Sequence, residues 1–492
     1  MRLALAAACA LGALFPPEGP LAQAPTGQSL QLEPCRISDS RGLTSVAARC
    51  GRLAVPEDPD APEGRRIELA IAVVPAIATR AKPDPLFLLA GGPGQGARDG
   101  FVPHLGDFAG VHRERDLVLV DQRGTGGSNR LDCDMPEDVW ESADISPAEL
   151  RRLAQDCLAE LPGRPEFYTT SIAVRDLDAA RAALGYERIN LFGGSYGTRV
   201  AQHYARRYPE RTRTMTIDSI VPPALPLVPR IALEAQLALE RVFERCRDDA
   251  SCNGRFPALA DQFARVDARL RSGPVRVSLA DPVGGETSTV EVTRGHLVMM
   301  TRMLSYSART AALLPLLIHE AATRGNYGPL AAQALMAGEN LQRIIAMGMH
   351  HSVVCSEDAP RFEGTVDRAA LERSYLGPIM VDGMIAICEV WPRGAVDGDF
   401  HQPLRSAVPA LLLSGEIDPA TPSDYGAVAA TGFTQHLHLV IPGQGHGQTG
   451  LPCVQRLIRQ FIDRGSVDGL DAACIDDIRP APFFLSFSGT AP

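Results

Sequence analysis

A serine, an acid and a histidine suited to acyl transfer occur in this chain in a usable order, as Ser195, Asp418 and His446. A serine hydroxyl is a weak nucleophile until a neighbouring base takes its proton and an acid orients that base. Ser195 sits in Gly193-Gly194-Ser195-Tyr196-Gly197, whose glycines permit a tight turn that lifts the hydroxyl clear of a strand end. Asp418 follows an apolar run at 411–413, in a loop that Pro419 and Pro422 stiffen. It is preferred to Glu416, which lies nearer the strand and is expected to face away. His446 comes after a second apolar run, flanked by Gly445 and Gly447, which let it stand on an exposed loop tip. His436 and His438 fall on a strand and read as structural, whereas His350 and His351 form an adjacent pair in a helical stretch.

The negative oxygen formed during acyl transfer needs two donors in place before reaction. The backbone N–H of Tyr196, next to the nucleophile, is one candidate. Gly92, in Ala90-Gly91-Gly92-Pro93-Gly94, is the other, since Pro93 has no N–H to give. That glycine run is neither a P-loop nor a dinucleotide fingerprint. The chemistry calls for no cofactor and no metal, and the cysteines contain no C-x-x-C pair that would suggest zinc.

The elements that must carry these groups alternate. Strand-length apolar runs at 86–89, 117–120, 189–192 and 215–218 are interleaved with helical spacing at 172–184 and 196–208. Such alternation predicts an α/β fold with a mostly parallel sheet flanked by helices and a site at its carboxyl edge. After Pro222-Pro223 the spacing becomes helical, with one brief strand-like stretch at 275–279, and the sheet pattern resumes at 410. The expected organisation is therefore a core at 25–223, a large helical cap at 224–403, and the rest of the core with a tail at 404–492. The cap would sit over the carboxyl edge of the sheet.

Residues 1–24 read as a secretory signal: Met1-Arg2, an apolar run to Phe15, proline breakers, and Ala22-Gln23-Ala24 as a cleavage site. Of 11 cysteines, Cys9 would leave with it, and the even remainder reads as disulfides of an exported protein. Pairing each cysteine with its neighbour along the chain closes the loops of most modest length. The expected location is periplasmic or secreted, with no stable membrane insertion after signal removal. A net charge of −10 over 492 residues argues against nucleic acid or an anionic membrane as partner.

Ala90-Gly91-Gly92-Pro93-Gly94-Gln95-Gly96, Asp121-Gln122-Arg123-Gly124-Thr125-Gly126-Gly127-Ser128 and Gly193-Gly194-Ser195-Tyr196-Gly197 occur in that order. Together they resemble the prolyl and tripeptidyl aminopeptidase family of α/β-hydrolases, in its exported branch. Ala90 departs from the histidine that often precedes the glycine pair in that family. Arg123 is expected to tie loops beneath the site. The resemblance implies a peptide substrate held by its free α-amine, with lid carboxylates binding the ammonium group. Glu357, Asp358 and Glu389 are the candidates, brought together by a disulfide between Cys355 and Cys388. A carboxylesterase or lactonase with the same triad acting on a small ester is the alternative reading; an inactive binding protein is a third.

Overall fold

In the computed structural model of the chain, residues 30–133, 145–280 and 286–490 are described. The expected signal peptide and Cys9 lie outside the described residues. Three antiparallel strands come first: β1 (Glu33–Ser38), β2 (Ser45–Pro56) and β3 (Arg66–Val74). The hydrophobic pattern at 86–89 does not foreshadow them. β1 and much of β2 are exposed on at least one face, so they carry polar residues that an apolar-run search passes over.

The strands read from sequence follow: β4 (Leu86–Leu89), β5 (Leu117–Val120), β6 (Ile189–Gly194) and β7 (Thr212–Asp218). In the cap a two-stranded hairpin, β8 (Val275–Ala280) with β9 (Thr287–Val292), contains the strand-like stretch noted above and a partner the sequence reading missed. β10 (Ala410–Gly415) and β11 (His436–Ile441) complete a nine-stranded sheet ordered β1-β2-β3-β5-β4-β6-β7-β10-β11. From β5 to β11 all pairings are parallel. Every residue of β4, β5 and β10 is buried, as strands covered on both faces must be.

Helices cover both faces of the sheet. α1 (Pro147–Glu160) belongs to the cap by its packing, whereas α2 (Thr170–Ala183) and α3 (Tyr196–Arg207) lie on one face of the sheet. The cap is a separate apolar cluster built on α4 (Val228–Asp248), α5 (Arg294–Ser305) and further helices, whereas α6 (Met347–Val353) sends Met349 and Val353 into the core cluster, and α7 (Ile379–Val390) returns to the cap cluster. Two segments from outside 224–403 join that cluster: α1, through Leu150 and Ala154, and the tail, through Phe483. The Arg245 guanidinium lies 3.9 Å over the Phe483 ring, and the Phe484 N–H donates to the Ala312 carbonyl.

Each of the five disulfides joins neighbouring cysteines: Cys35–Cys50, Cys133–Cys157, Cys246–Cys252, Cys355–Cys388 and Cys453–Cys474. The middle three lie in the cap cluster. Among the described residues no helix is long and apolar enough to cross a membrane.

Candidate active site

Ser195 occupies a turn between β6 and α3 with φ 55° and ψ −125°, a conformation that costs energy for any residue with a side chain. Its neighbours make the turn possible. A Cβ on Gly197 would run into the Leu89 carbonyl, and one on Gly193 into the carbonyl of Gly197. The Ser195 hydroxyl does not cap the first turn of α3, so it is not spent on holding the helix.

His446 follows β11 and Asp418 follows β10, its neighbour in the sheet. The His446 Nδ1 lies 3.0 and 2.9 Å from the two Asp418 oxygens. Asp418 is buried, and it also accepts from the N–H groups of Ala420 and Thr421, each at 2.9 Å, and from the Thr421 hydroxyl at 2.8 Å. This fixes the carboxylate before it meets the imidazole. Nδ1 carries the proton toward Asp418, leaving Nε2 as the basic face. Burial pulls the imidazole pKa down, but the Asp418 charge, its hydrogen bond and the Asp218 charge together outweigh it and hold His446 above its usual value. Asp418 is correspondingly held low against burial, mainly by the His446 charge. Glu416 does face away: its carboxylate accepts the Gly443 N–H at 2.7 Å and braces the loop before His446.

The glycine turn after β4 lies against the nucleophile, since a Cβ on Gly91 would sit 3.0 Å from the Ser195 Cβ and 3.6 Å from its Oγ. Gly92 holds φ 105° there, in the region that favours glycine. Among the described residues neither the Gly92 N–H nor the Tyr196 N–H has a hydrogen-bond acceptor. Arg123 sits beneath, buried, forked onto Asp176 at 2.7 and 2.8 Å and donating to the Glu57 and Phe167 carbonyls.

The cap reaches this site at three points. The Ala346 N–H donates to the Gly94 carbonyl at 2.9 Å, and His350 Nδ1 lies 3.2 Å from the Pro93 carbonyl. The His446 N–H donates to the Tyr306 carbonyl at 2.6 Å, with the two rings edge-on at 5.0 Å. The third point is Glu357. His351, by contrast, turns away to pack on Trp391.

The three lid carboxylates expected to meet an ammonium group part company. α6 continues as a wide π turn over Val354–Asp358 that carries Glu357 and Asp358 inward, both buried. Glu357 accepts the Thr170 N–H at 2.7 Å and its hydroxyl at 3.0 Å, and Thr170 in turn meets the Tyr196 hydroxyl at 2.5 Å. Asp358 pairs with the buried Arg199 at 2.9 Å, and Glu357 lies 3.9 Å from the same guanidinium. Their oxygens are thus engaged within the protein, which corrects the expectation of direct contact. Glu389 is not with them: it is an exposed residue of α7 paired with Arg151 of α1. The Cys355–Cys388 bridge forms, but on a helix the residue after Cys388 points to the other side.

Sequence reasoning missed Thr421, Tyr306 and Asp218. Of these only Asp218 carried a signal, as an acid ending a strand next to the nucleophile strand.

Residues 84–288 match the family described as the alpha/beta hydrolase fold, and residues 373–474 match the TAP-like protein family. The chain is 26% identical to the serine protease Hip1 of Mycobacterium tuberculosis, over 92% of each chain. It is 25% identical to the tripeptidyl aminopeptidase of Streptomyces lividans, over 88% of this chain and 85% of that one. Among solved structures, a proline iminopeptidase from Mycobacterium smegmatis aligns at 16% identity with a TM-score of 0.41, covering 84% of this chain and 98% of that one. With two family matches along the chain and relatives named as peptidases spanning most of its length, the chain has the α/β-hydrolase fold, carries a TAP-like section at residues 373–474, and is a serine peptidase.

Proposed function

We propose that the protein is an exported aminopeptidase that releases short N-terminal units, prolyl or tripeptidyl, from peptides. One observation carries this reading most. The His446–Asp418 pair, at 2.9 Å with Nε2 left free, stands on the same sheet edge as a strained, uncommitted Ser195. Ser195 attacks the scissile carbonyl while His446 Nε2 takes its proton. The N–H groups of Gly92 and Tyr196 hold the oxyanion, and Asp418 steadies the imidazolium. His446 then protonates the leaving amine, and water attacks the acyl-enzyme with the same histidine as base. Five disulfides support an oxidising compartment, periplasmic or external.

Selection for a free amine is assigned to the field of the Glu357–Asp358 pair, not to direct contact. Two carboxylates share the Arg199 guanidinium, and Arg361 is also within reach of Asp358, so the field at an ammonium group depends on its nearness to Glu357 once that carboxyl is ionised. His350, which touches the oxyanion turn, feels Asp358, so this field reaches the acyl side of the site.

The test compares a tripeptide anilide with a free amine, its N-acetylated form, and a simple aryl ester. The free amine is expected to be cleaved on the order of 100-fold faster than the acetylated peptide, and Ser195→Ala to lose about 10⁴-fold or more on every substrate. Equal cleavage of both peptides would remove the aminopeptidase reading. Turnover of the ester alone would replace it with an esterase.

A further inference from the structure

One dipeptide, Asp218-Ser219, ties the turn at Ser195 to the loop of His446. Asp218 is the last residue of β7, the strand between the nucleophile strand and the acid strand, opposite Gly194 on one side and Leu413 on the other. Its carbonyl accepts the Ser195 N–H at 2.9 Å. Its buried carboxyl accepts the Gln448 N–H at 2.6 Å, two residues past His446. The next residue, Ser219, donates its N–H to the Leu413 carbonyl at 2.9 Å, and its hydroxyl accepts the Gly447 N–H at 2.8 Å. Ser219 does this at φ 60°, a conformation few residues with a side chain hold without local support. One dipeptide therefore grips the nucleophile turn with backbone and the histidine loop with two side chains.

We propose that Asp218, with Ser219, is a positioning residue that sets His446 against Ser195 and places a second carboxyl beside the imidazole. Three successive amides, of His446, Gly447 and Gln448, are each held by a different acceptor: the Tyr306 carbonyl, the Ser219 hydroxyl and the Asp218 carboxyl. A displacement of about 1 Å between reacting groups costs on the order of 100-fold in rate, so a device that removes this freedom has a large effect to protect. The titratable groups facing Asp218 are His446 and Asp418. Burial pushes the Asp218 carboxyl up to about 7, against the Gln448 N–H and the His446 charge, while Asp418 adds to the push. Its ionised form favours the imidazolium, as Asp418 does.

This inference rests on His446 acting as the base, and the experiment separates the two. Asp218→Asn keeps the shape and an acceptor for Gln448 but removes the charge. It is expected to lower kcat about 10- to 100-fold on the free-amine anilide with KM within about twofold, and to move the acid limb of the pH–rate profile to lower pH. A merely structural residue would leave that limb in place. Wild-type kcat with an unmoved limb overturns the proposal. Should Asp218→Asn not fold, Ser219→Ala decides, because it deletes the bridge to Gly447: a kcat loss of about threefold or more at constant KM supports the proposal, and no loss overturns it. Ser219→Ala also removes the hydroxyl's 3.5 Å contact with the Asp218 carboxyl, which belongs to the same device, and Ser195→Ala, run alongside, tells the failures apart. If it stays active the catalytic reading falls; if it is inactive while both other variants behave as wild type, only the role of Asp218 falls.

Discussion

The sheet edge and the cap both build this site, by different means. Ser195, Gly92, Asp418 and His446 each lie within five residues of the end of β6, β4, β10 or β11. The cap contributes Tyr306, Ala346, His350 and Glu357, which touch partners 140, 252, 257 and 187 residues away in sequence. The edge holds the groups that would exchange protons and charge with a substrate. The cap holds the backbone and side chains on which those groups lean. In this molecule the cap is thus a wall of the site as much as a cover over it.

That comparison is easiest to break at the glycine turn after β4. Gly94 has φ 105°, and a Cβ there would sit 2.7 Å from the Ala346 carbonyl of the cap. Gly94→Ala is expected to lower kcat on the order of 100-fold, since the turn must move away from the cap and take its donor with it. A variant with normal kcat would mean that the cap contact does not set the turn; steady-state kinetics on the anilide decides. Tyr306→Ala keeps the carbonyl that accepts the His446 N–H and removes the ring packed on the imidazole, together with the hydroxyl that accepts from Arg302 at 3.1 Å. A kcat loss of about tenfold with an unfolding temperature within about 2 °C of wild type is expected, read by kinetics beside calorimetry. If the cap only covers the site, the ring change will alter KM instead.

The smallest effect sharpens the picture of the buried acids. Burial pushes Glu357 up to about 7, above the 4.5 of an unperturbed glutamate. The folded protein therefore keeps a proton that the unfolded chain releases. The stability this group contributes is full below pH 4.5 and is lost as pH rises through about 7. Glu357→Gln has no such dependence. The unfolding temperature of the variant relative to wild type is expected to rise by about 3–5 °C between pH 5 and 8, measured by calorimetry. A flat difference would mean that Glu357 stays ionised in the fold. Above about pH 7, where Glu357 is ionised, the same variant should lose about fivefold of the preference for a free amine, as expected if a field at partial screening acts on the ammonium group.

What could be read in the sequence follows the same divide. G-x-S-x-G, the acid loop and the glycine-flanked histidine are local patterns, because a strand end and the turn after it are written in consecutive residues. Distance from the strand end selects Asp418 over Glu416, which lies nearer the strand, and in the structure Glu416 braces Gly443. Neighbouring cysteines pair because each pair closes a short excursion of the chain. The fate of Glu357 was not readable. Whether a carboxylate faces a substrate or an internal Arg199 depends on packing between a helix at 199 and a turn at 357, which no local pattern encodes. β1 and β2 escaped for another reason: an edge of a sheet exposed on one side mixes polar with apolar residues, whereas β3 carries a readable apolar run over 69–74 that the sequence reading missed. β9 lacks apolar alternation almost entirely, being exposed over most of its length.

The tail that ends on Phe483 has a mechanical consequence. An inserted module joined to its host by two crossings can rotate about the line through them, as a door does. Here further threads, through Leu150 on one flank and Phe483 on another, run between core and cap and remove that axis. Opening of the site is therefore expected from side chains and single turns that give way locally, not from a swing of the whole cap.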